Sequence, residues 1–480
     1  MCDPIHLQEA SAVSVDSNSN SLSRRRFVAG VAASGAAVSV LGSVEALYTA
    51  EPALGTSGPK AGYGPLVADP AGMLDLPRGF RYQVLSREGL TRADGGLIPS
   101  RFDGMGVFPD RDGASRLVRN HECLPDAPVP VRGPAEWTYD PAAGGGNSTL
   151  LVDKRNHVTT EFISLGGTAI NCSGGRTPWR TWLTCEETED KAGEKGYTKD
   201  HGFIFEVDPY DGRRNRDPVP LKAMGRFQHE AVAVDPATGV VYETEDAFLP
   251  PLGGFYRFLP NRPRGGWGSL RAGGELQAMR IPDLPDLSVV QDAGTVFDHV
   301  EWVSVPDPLA TSESVRTQDF SVPITGGYKL EGCWWGAVDR CVYFVSSFAL
   351  TELGPKVAHN GQVWKFDPRR KTLRLEMIFT RKNPPDPDPE FDSPDNITMS
   401  PYGGLMMCED GVGEQHILGT TEDGDVFKFA KNRVDIGTPE SPEYGEFTGA
   451  GFSADGQTMF FNLWMPGVTY AVTGPWRRRR

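Results

Sequence analysis

Short runs of β-prone apolar residues, each ending in acidic or polar residues, recur along this chain. The runs occupy residues 117–122, 181–186, 240–245, 341–347, 405–409 and 459–463. The predicted partner strands include residues 203–209, 255–260, 363–368 and 426–429. Strand pairs that return roughly every 50 to 65 residues predict an all-β fold, a six-bladed β-propeller with loop insertions. No long helical periodicity separates the runs, which disfavours alternating βα units.

The same pattern predicts how the chain is divided. We expect an export signal with its flanks over residues 1–50, an N-terminal extension over 51–100, one propeller over 101–476 and a basic tail over 477–480. A longer interval marks an insertion at about residues 261–325. If the acid-tipped runs are the innermost strands, their ends converge on the axial channel. Alternatively, each acid only terminates its strand in a solvated turn.

Composition supports a folded, turn-rich β protein. The 480 residues are 39% hydrophobic and include 56 glycines and 39 prolines, while low-complexity tracts are confined to the ends. The net charge of −15 argues against nucleic acid as a partner, because phosphate backbones require clustered Lys and Arg. An acidic chain is, in contrast, well suited to holding cations.

Residues 23–28 (SRRRFV) precede a mildly apolar run over residues 29–47, a pattern typical of a twin-arginine export signal. The run is rich in small residues and contains Glu45, so a stable membrane anchor is disfavoured. We expect the twin-arginine translocase as a partner and a periplasmic, cell-surface or extracellular location. This route carries proteins that are already folded, which suits an enzyme loaded with metal before export.

Residues 171–187 (NCSGGRTPWRTWLTCEE) combine thiols, carboxylates and a cation around one apolar strand. Cys172 and Glu187 stand at its two ends, and a soft and a hard ligand in one unit indicate a metal site. The chain without Cys2 has six cysteines, an even number that allows disulfides without requiring them. No CxxC motif occurs, which disfavours a structural zinc site.

Further candidate ligands lie at other predicted strand ends. In residues 225–230 (GRFQHE) we choose Glu230 over His229, because neighbours in an extended strand face opposite sides unless a bulge intervenes. The remaining candidate acids are Glu122, Glu331, Asp395 and Glu409. Lys329 and Glu331 share one face of a strand, which places a cation beside a carboxylate, either as a surface ion pair or as a phosphate-neutralising group beside a ligand.

Several common enzyme classes lack support. The chain has no GxSxG, Walker A or HExxH motif, and no GxGxxG between a strand and a helix. Serine hydrolase, nucleotide-binding and zincin functions are therefore disfavoured.

From about Phe102 to Pro475 the chain resembles the PhoX-type alkaline phosphatase family. The resemblance rests on residues 102–106 (FDGMG), 120–122 (NHE), 171–187, 225–230, 393–396 (SPDN) and 446–456 (EFTGAGFSADG). It implies export by the twin-arginine route and a six-bladed propeller that holds ferric iron and calcium, Fe(III) and Ca²⁺, in its channel. The implied activity is hydrolysis of small phosphorylated substrates, as a calcium-dependent phosphomonoesterase with diesterase activity as a further option.

The resemblance also implies roles for individual residues. Cys172 corresponds to the iron-binding thiolate, and the carboxylate ligands to iron or calcium are Glu187, Glu230, Glu331 and Asp395. Lys329, the candidate catalytic residue, departs from the family pattern, which favours Arg before the ligand Glu; Lys offers a point charge instead of a planar fork. Two other hypotheses stay open: a noncatalytic calcium-binding exported propeller and a lactonase-type propeller hydrolase.

Overall fold

The computed structural model describes residues 62–247, 249–382, 389–421 and 423–476. The predicted export signal (residues 1–50) and basic tail (residues 477–480) lie outside the described residues. The described chain is almost entirely β-structure, arranged in six sheets. The predicted six-bladed β-propeller is confirmed.

Three short strands come first: β1 (Leu66–Val67), β2 (Leu74–Pro77) and β3 (Arg81–Arg87). Blade 1 contains β4 (Phe102–Pro109), β5 (Ser115–His121), β6 (Gly145–Val152) and β7 (Val158–Thr168). Blade 2 contains β8 (Asn171–Arg176), β9 (Trp182–Glu186) and β10 (Ile204–Val207). Blade 3 contains β11 (His229–Val234), β12 (Val241–Glu245), β13 (Gly253–Pro260), β14 (Gly274–Arg280) and, after β15 (Val296–Phe297), β16 (Glu301–Ser304).

After β17 (Gly326–Gly327), blade 4 contains β18 (Leu330–Gly336), β19 (Cys341–Ser346), β20 (His359–Asp367) and β21 (Thr372–Thr380), with β15 on its outer edge. Blade 5 contains β22 (Pro394–Met399), β23 (Leu405–Glu409), β24 (His416–Thr420) and β25 (Val426–Asn432), extended outward by β2 and β1. Blade 6 contains β26 (Phe447–Phe452), β27 (Thr458–Leu463) and β28 (Val468–Thr473), followed by β3.

The first strands of the six blades form the wall of the central channel. In space β4 contacts β8, and the contacts continue through β11, β18, β22 and β26 back to β4. The expectation that the acid-tipped runs are innermost is therefore wrong. Those runs form the second strands β5, β9, β12, β19, β23 and β27. Glycine recurs in four of the innermost strands, β4, β8, β18 and β26, whereas the second strands contain none.

The N-terminal strand β3 closes the ring by pairing with β28 as the outermost strand of blade 6. The region predicted as an N-terminal extension thus contributes to two blades. The predicted insertion also joins the sheets, since β14 and β16 continue blade 3 outward and β17 pairs with β13. The buried Arg119 connects blade 1 to blade 6. Its guanidinium is 2.5 Å from Glu161 in blade 1 and 2.7 Å from the Thr469 hydroxyl on β28.

The hydrophobic core lies between neighbouring blades. The largest cluster joins blades 3 and 4, where Phe255 stacks on Phe344 with ring centroids 4.2 Å apart. Aromatic and aliphatic side chains of strands from both blades form this cluster, among them Tyr242, Val342 and Trp364, and such residues fit a pleated surface that is covered by a neighbouring sheet. This packing holds the innermost strands in fixed positions around the channel.

Helices are short and of the 3-10 type. They span Arg111–Gly113, Ala135–Trp137, Gly212–Asn215, Lys222–Met224, Ser269–Ala272, Leu287–Val289, Val315–Thr317 and Thr351–Leu353. None of the helices in the described part of the chain has the length and apolar character needed to cross a membrane.

Candidate metal centre

Every innermost strand contains a one-residue β-bulge. In blade 4, Leu330 pairs with Ser346 and Cys333 pairs with Phe344, so three steps along β18 oppose two along β19. The same shift occurs in β4, β8, β11, β22 and β26. A bulge re-aims the side chain of the extra residue. We call the first residue of each bulge the bulge position. Around the ring these are Asp103, Cys172, Glu230, Glu331, Asp395 and Gly449.

Two further positions repeat at the same end of each blade. The entry position directly precedes the innermost strand, and the rim position directly follows the second strand. In each blade the rim N–H donates to the entry carbonyl at 2.9 to 3.1 Å. The entry residues are Arg101, Ile170, Gln228, Lys329, Ser393 and Glu446, and the corresponding rim residues are Glu122, Glu187, Asp246, Ser347, Asp410 and Trp464.

These positions bring nine ionisable residues together. Their ligand atoms form four groups, within each of which all atoms lie within 4.8 Å of one another. The groups are Asp103, Glu122 and Cys172; Cys172, Glu187 and Glu230; Glu230, Glu331 and Asp395; and Asp395, Asp410 and Glu446. Because successive groups share a residue, the nine form one continuous cluster, which we call the channel cluster.

Six of the predicted ligands lie in the channel cluster: Cys172, Glu187, Glu230, Glu331, Asp395 and Glu122. Sequence reasoning missed Asp103, Asp410 and Glu446. Each of the three stands in or beside a motif that was recognised, namely FDGMG, the acidic pair at residues 409–410 and EFTGAGF. The spacing of an acid two residues after the entry position would have identified Asp103, because it recurs at Glu331 and Asp395.

Glu409, the seventh predicted ligand, lies outside the channel cluster. Its carboxylate accepts hydrogen bonds from the backbone N–H groups of Asp392 at 3.0 Å and His416 at 2.9 Å, and contacts the His416 ring at 2.9 Å. Neighbouring residues on a strand face opposite sides, so the next acid, Asp410, is the one that faces the channel. At this strand end the structure therefore brings Asp410 into the channel cluster, and not the predicted Glu409.

Side chains of the preceding blade hold the bulges in place. Asn120 donates from its amide to the carbonyls of Cys172 and Ser173 at 3.0 and 2.7 Å. The Thr244 hydroxyl donates to the Glu331 carbonyl at 2.6 Å, and the Asn462 amide donates to the Asp103 carbonyl at 2.7 Å. These three donors each lie two residues before a rim position. The bulges are thus preorganised by the fold.

Lys329 lies beside the channel cluster, with no exposed surface. Its Nζ is 2.6 Å from Glu331 Oε1 and 3.3 Å from Asp246 Oδ2. The predicted pairing of a cation with this carboxylate is present in the structure. The backbone of Lys329 is left-handed, with φ of 43°. This conformation turns the chain immediately before it enters β18.

His229 lies behind Glu230 and is not part of the channel cluster. Its Nε2 is 3.2 Å from the Gly225 carbonyl, and its Nδ1 is 3.4 Å from a carboxylate oxygen of Glu243. Burial lowers the pKa of His229 to about 3 and raises the pKa of Glu243 well above its usual value. Burial thus favours the neutral form of each group, which is the less costly state in an apolar interior. Glu230 therefore lies in the channel cluster and His229 lies outside it, on opposite sides of the strand as the sequence predicts.

The electrostatics of the channel cluster favour a bound cation. Burial, followed by the charges of Glu122 and Glu446, raises the pKa of Asp103 well above its usual value. Asp410 Oδ2 is buried and accepts no hydrogen bond within the described residues. Eight buried or half-buried carboxyl groups at this density are costly unless nearby cations neutralise them.

The donor set fits iron and calcium. Carboxylate oxygens bind both hard cations, and a thiolate adds affinity for a transition metal. The Cys172 Sγ contacts Glu187 Oε2, so a thiol and a carboxylate already share one side of the channel. The six cysteines of the described residues form no disulfide with one another, so the Cys172 thiol is not consumed in such a bond.

Comparisons with known proteins agree with this architecture. The family model described as alkaline phosphatase PhoX matches residues 61–161 and 156–467. The structure of Pseudomonas fluorescens PhoX in complex with vanadate, a transition state analogue, has a TM-score of 0.61 and 17% identity, covering 84% of this chain and 96% of that chain. A gluconolactonase from Xanthomonas campestris covers 87% of this chain and 99% of itself, at 12% identity and a TM-score of 0.43. No curated protein sequence matches the chain. Because the family model spans most of its length, the chain belongs to the PhoX alkaline phosphatase family.

Proposed function

We propose that this phosphatase is exported and hydrolyses phosphomonoesters, with phosphodiesters as a second substrate class, at ferric iron and calcium held by the channel cluster. The observation that carries the proposal is the continuous cluster of eight carboxyl groups and one thiol, assembled from all six blades. A solvated turn does not explain acids that are buried and aimed at one another from distant parts of the chain.

The thiol distinguishes the two metals. Cys172, with Glu187 and Glu230 beside it, would hold iron, while Glu331, Asp395 and the acids beyond them would supply oxygen ligands for calcium. When bound, these cations neutralise phosphate oxygens and activate water for attack on phosphorus.

Lys329 supplies the chain's own positive charge to the reacting phosphoryl group. Its ammonium contacts Glu331, a proposed calcium ligand, and is excluded from solvent. A buried, preorganised cation stabilises developing negative charge more strongly than a solvated one. Asp246 contacts the same Nζ from the neighbouring blade and fixes its direction.

Elemental analysis combined with activity assays tests the proposal. The purified mature protein is expected to contain both iron and calcium, and to release nitrophenol from 4-nitrophenyl phosphate until a chelator removes calcium. The bis(4-nitrophenyl) phosphate assay measures diesterase activity. Calcium without iron and no turnover would instead support a noncatalytic propeller, and cleavage of a lactone without phosphatase activity would support a lactonase.

Export is proposed from residues 23–28 and has its own test. Replacing Arg24 and Arg25 by Lys is expected to keep the protein in the cytoplasm, because the twin-arginine pair is the recognised part of such a signal. Fractionation of cells, followed by immunoblotting, measures the location. Unchanged export of the double variant would contradict this route.

A further inference from the structure

Two of the six entry positions carry a cation. Lys329 occupies the entry position of blade 4, and Arg101 occupies that of blade 1. Both have left-handed backbone conformations, with φ of 43° and 56°. Blades 1 and 4 are three steps apart in a six-blade ring, so the two cations lie across the channel from each other. Arg101 is therefore the structural counterpart of Lys329.

The two cations have different surroundings. Lys329 contacts Asp246, the rim residue of the preceding blade, as well as its own bulge residue Glu331. The rim residue that precedes Arg101 is Trp464, and the guanidinium carbon lies 4.0 Å from the centroid of that ring. The Arg101 Nη1 donates to Met465 Sδ at 3.0 Å, and no carboxylate of the described residues lies within ion-pair distance. Arg101 thus retains most of its donors at a half-buried position.

Arg101 is nevertheless fixed to the edge of the channel cluster. The indole N–H of Trp464 donates to the carboxylate of Glu122, a member of the cluster. The Glu122 backbone N–H donates to the Arg101 carbonyl at 3.0 Å. The face of the Arg101 guanidinium stacks on the Trp464 ring, so the N–H groups at its edge can donate to a ligand.

We propose that Arg101 is a specificity residue that binds a second anionic group, on the alcohol part of the phosphomonoester. The inference rests on the proposed phosphatase function. A planar guanidinium binds carboxylate or phosphate through two parallel hydrogen bonds. A cation placed opposite Lys329 reaches the part of a substrate that extends away from the phosphoryl group. The favoured substrates are phosphomonoesters that bear a carboxylate or a further phosphate.

A matched pair of substrates tests this role. Phenyl phosphate and 4-carboxyphenyl phosphate differ only in the second anion, and phosphate release measures both. Arg101→Gln is expected to lower kcat/KM for the carboxylated ester by about 10- to 100-fold, which is the usual effect of losing a charged hydrogen bond. For phenyl phosphate the expected loss is less than about threefold, because this ester lacks the second anion. Arg101→Lys keeps the charge, and its kcat/KM for the carboxylated ester is expected to lie between those of the wild type and of Arg101→Gln. Arg155→Gln, at an exposed turn at the opposite end of blade 1, is the control for charge alone.

A binding measurement supports the kinetic one. Phosphonoacetate is expected to inhibit the wild-type enzyme more strongly than methylphosphonate, and Arg101→Gln is expected to remove that difference. An equal loss on both substrates, or no change in the inhibitor ratio, would overturn the proposal. If Arg101→Gln does not fold, unchanged selectivity in Arg101→Lys overturns it equally. Failure of the phosphatase function itself is distinct, since the wild-type enzyme would then hydrolyse neither ester.

Discussion

Adjacent acids at the ends of the second strands have opposite surroundings. Glu186 accepts backbone hydrogen bonds from Ala169, Gly202 and Phe203, whereas Glu187 faces the channel cluster. Glu409 and Asp410 repeat this arrangement in blade 5. The first acid of each pair accepts backbone hydrogen bonds from neighbouring loops, and the second belongs to the channel cluster.

Matched substitutions in blade 5 separate these two roles. Asp410→Asn is expected to lower the calcium content and phosphatase activity while leaving the melting temperature of the metal-free protein nearly unchanged. Glu409→Gln is expected to destabilise the fold by about 1–3 kcal/mol, because buried N–H donors lose a charged acceptor. Metal analysis and urea unfolding measure the two effects. A loss of metal from the Glu409 variant alone would contradict the assignment.

His201 predicts a pH dependence of stability. Burial alone would lower the pKa of His201, but the carboxylate of Glu186, 2.7 Å from Nδ1, and that of Asp140 raise it above its usual value. Since the pKa is higher in the folded state, the stabilisation is fully present below the unfolded pKa of about 6.5 and is lost as pH rises through the folded pKa. His201→Gln is expected to cost roughly 3–5 kcal/mol at pH 6 and less at high pH. Urea unfolding across this range measures the difference, and a constant difference would show that folding does not raise the pKa of His201.

At the scale of the element, the bulges depend on small residues. The second bulge residue of blade 4 is Gly332, and a Cβ there would come within 2.5 Å of the Asp395 carbonyl oxygen on the next innermost strand. In blade 1, a Cβ at Gly104 would meet Ser173 Cα at 2.5 Å. The innermost strands therefore approach one another so closely that only glycine fits at these two points.

Gly332→Ala is expected to move blades 4 and 5 apart and misplace Glu331 and Asp395 together. Overpacking against rigid backbone costs about 1–3 kcal/mol. Calcium binding is expected to weaken more than the fold itself. Gly212→Ala is the control, since its Cβ makes only ordinary contact with Trp137. Calorimetric titration of calcium into both variants measures this effect. Equal calcium affinities for the two variants would contradict the proposed role of the close approach between the strands.

The fold is predictable because β-prone runs return at regular intervals along the chain, and their spacing reports the number of blades. The order of strands within a blade is not predictable in this way, because apolar runs occur in innermost strands such as His229–Val234 as well as in second strands such as Cys341–Ser346. Glu409 and Asp410 are adjacent acids at the end of a second strand, and the sequence pattern alone does not show which of the two faces the channel. Glu446 precedes its strand and lies outside the recurring acid position.

At the scale of the whole molecule, a buried ion pair in blade 1 contacts both strands whose pairing closes the ring, β28 and β3. Arg119 has no exposed surface, and its partner Glu161 also accepts from Ser86 on β3 at 2.9 Å. Glu161→Ala leaves a buried guanidinium without its carboxylate and is expected to destabilise the propeller by about 3–5 kcal/mol. Glu301→Ala removes the exposed partner of Arg280 and is expected to lower the free energy of unfolding by less than about 1 kcal/mol. Similar melting temperatures for the two variants would mean that closure does not depend on this pair.

The channel cluster connects all six blades, so metal binding and the closed ring depend on each other. The most direct test uses the visible absorption of ferric iron bound by a thiolate, measured on matched cysteine variants. We predict that the wild-type protein shows a thiolate-to-iron absorption band, that Cys172→Ala loses the band together with iron and phosphatase activity, and that Cys185→Ala, in the core of the same blade, keeps all three. A Cys172→Ala protein that retains its iron and full activity would contradict the proposed centre.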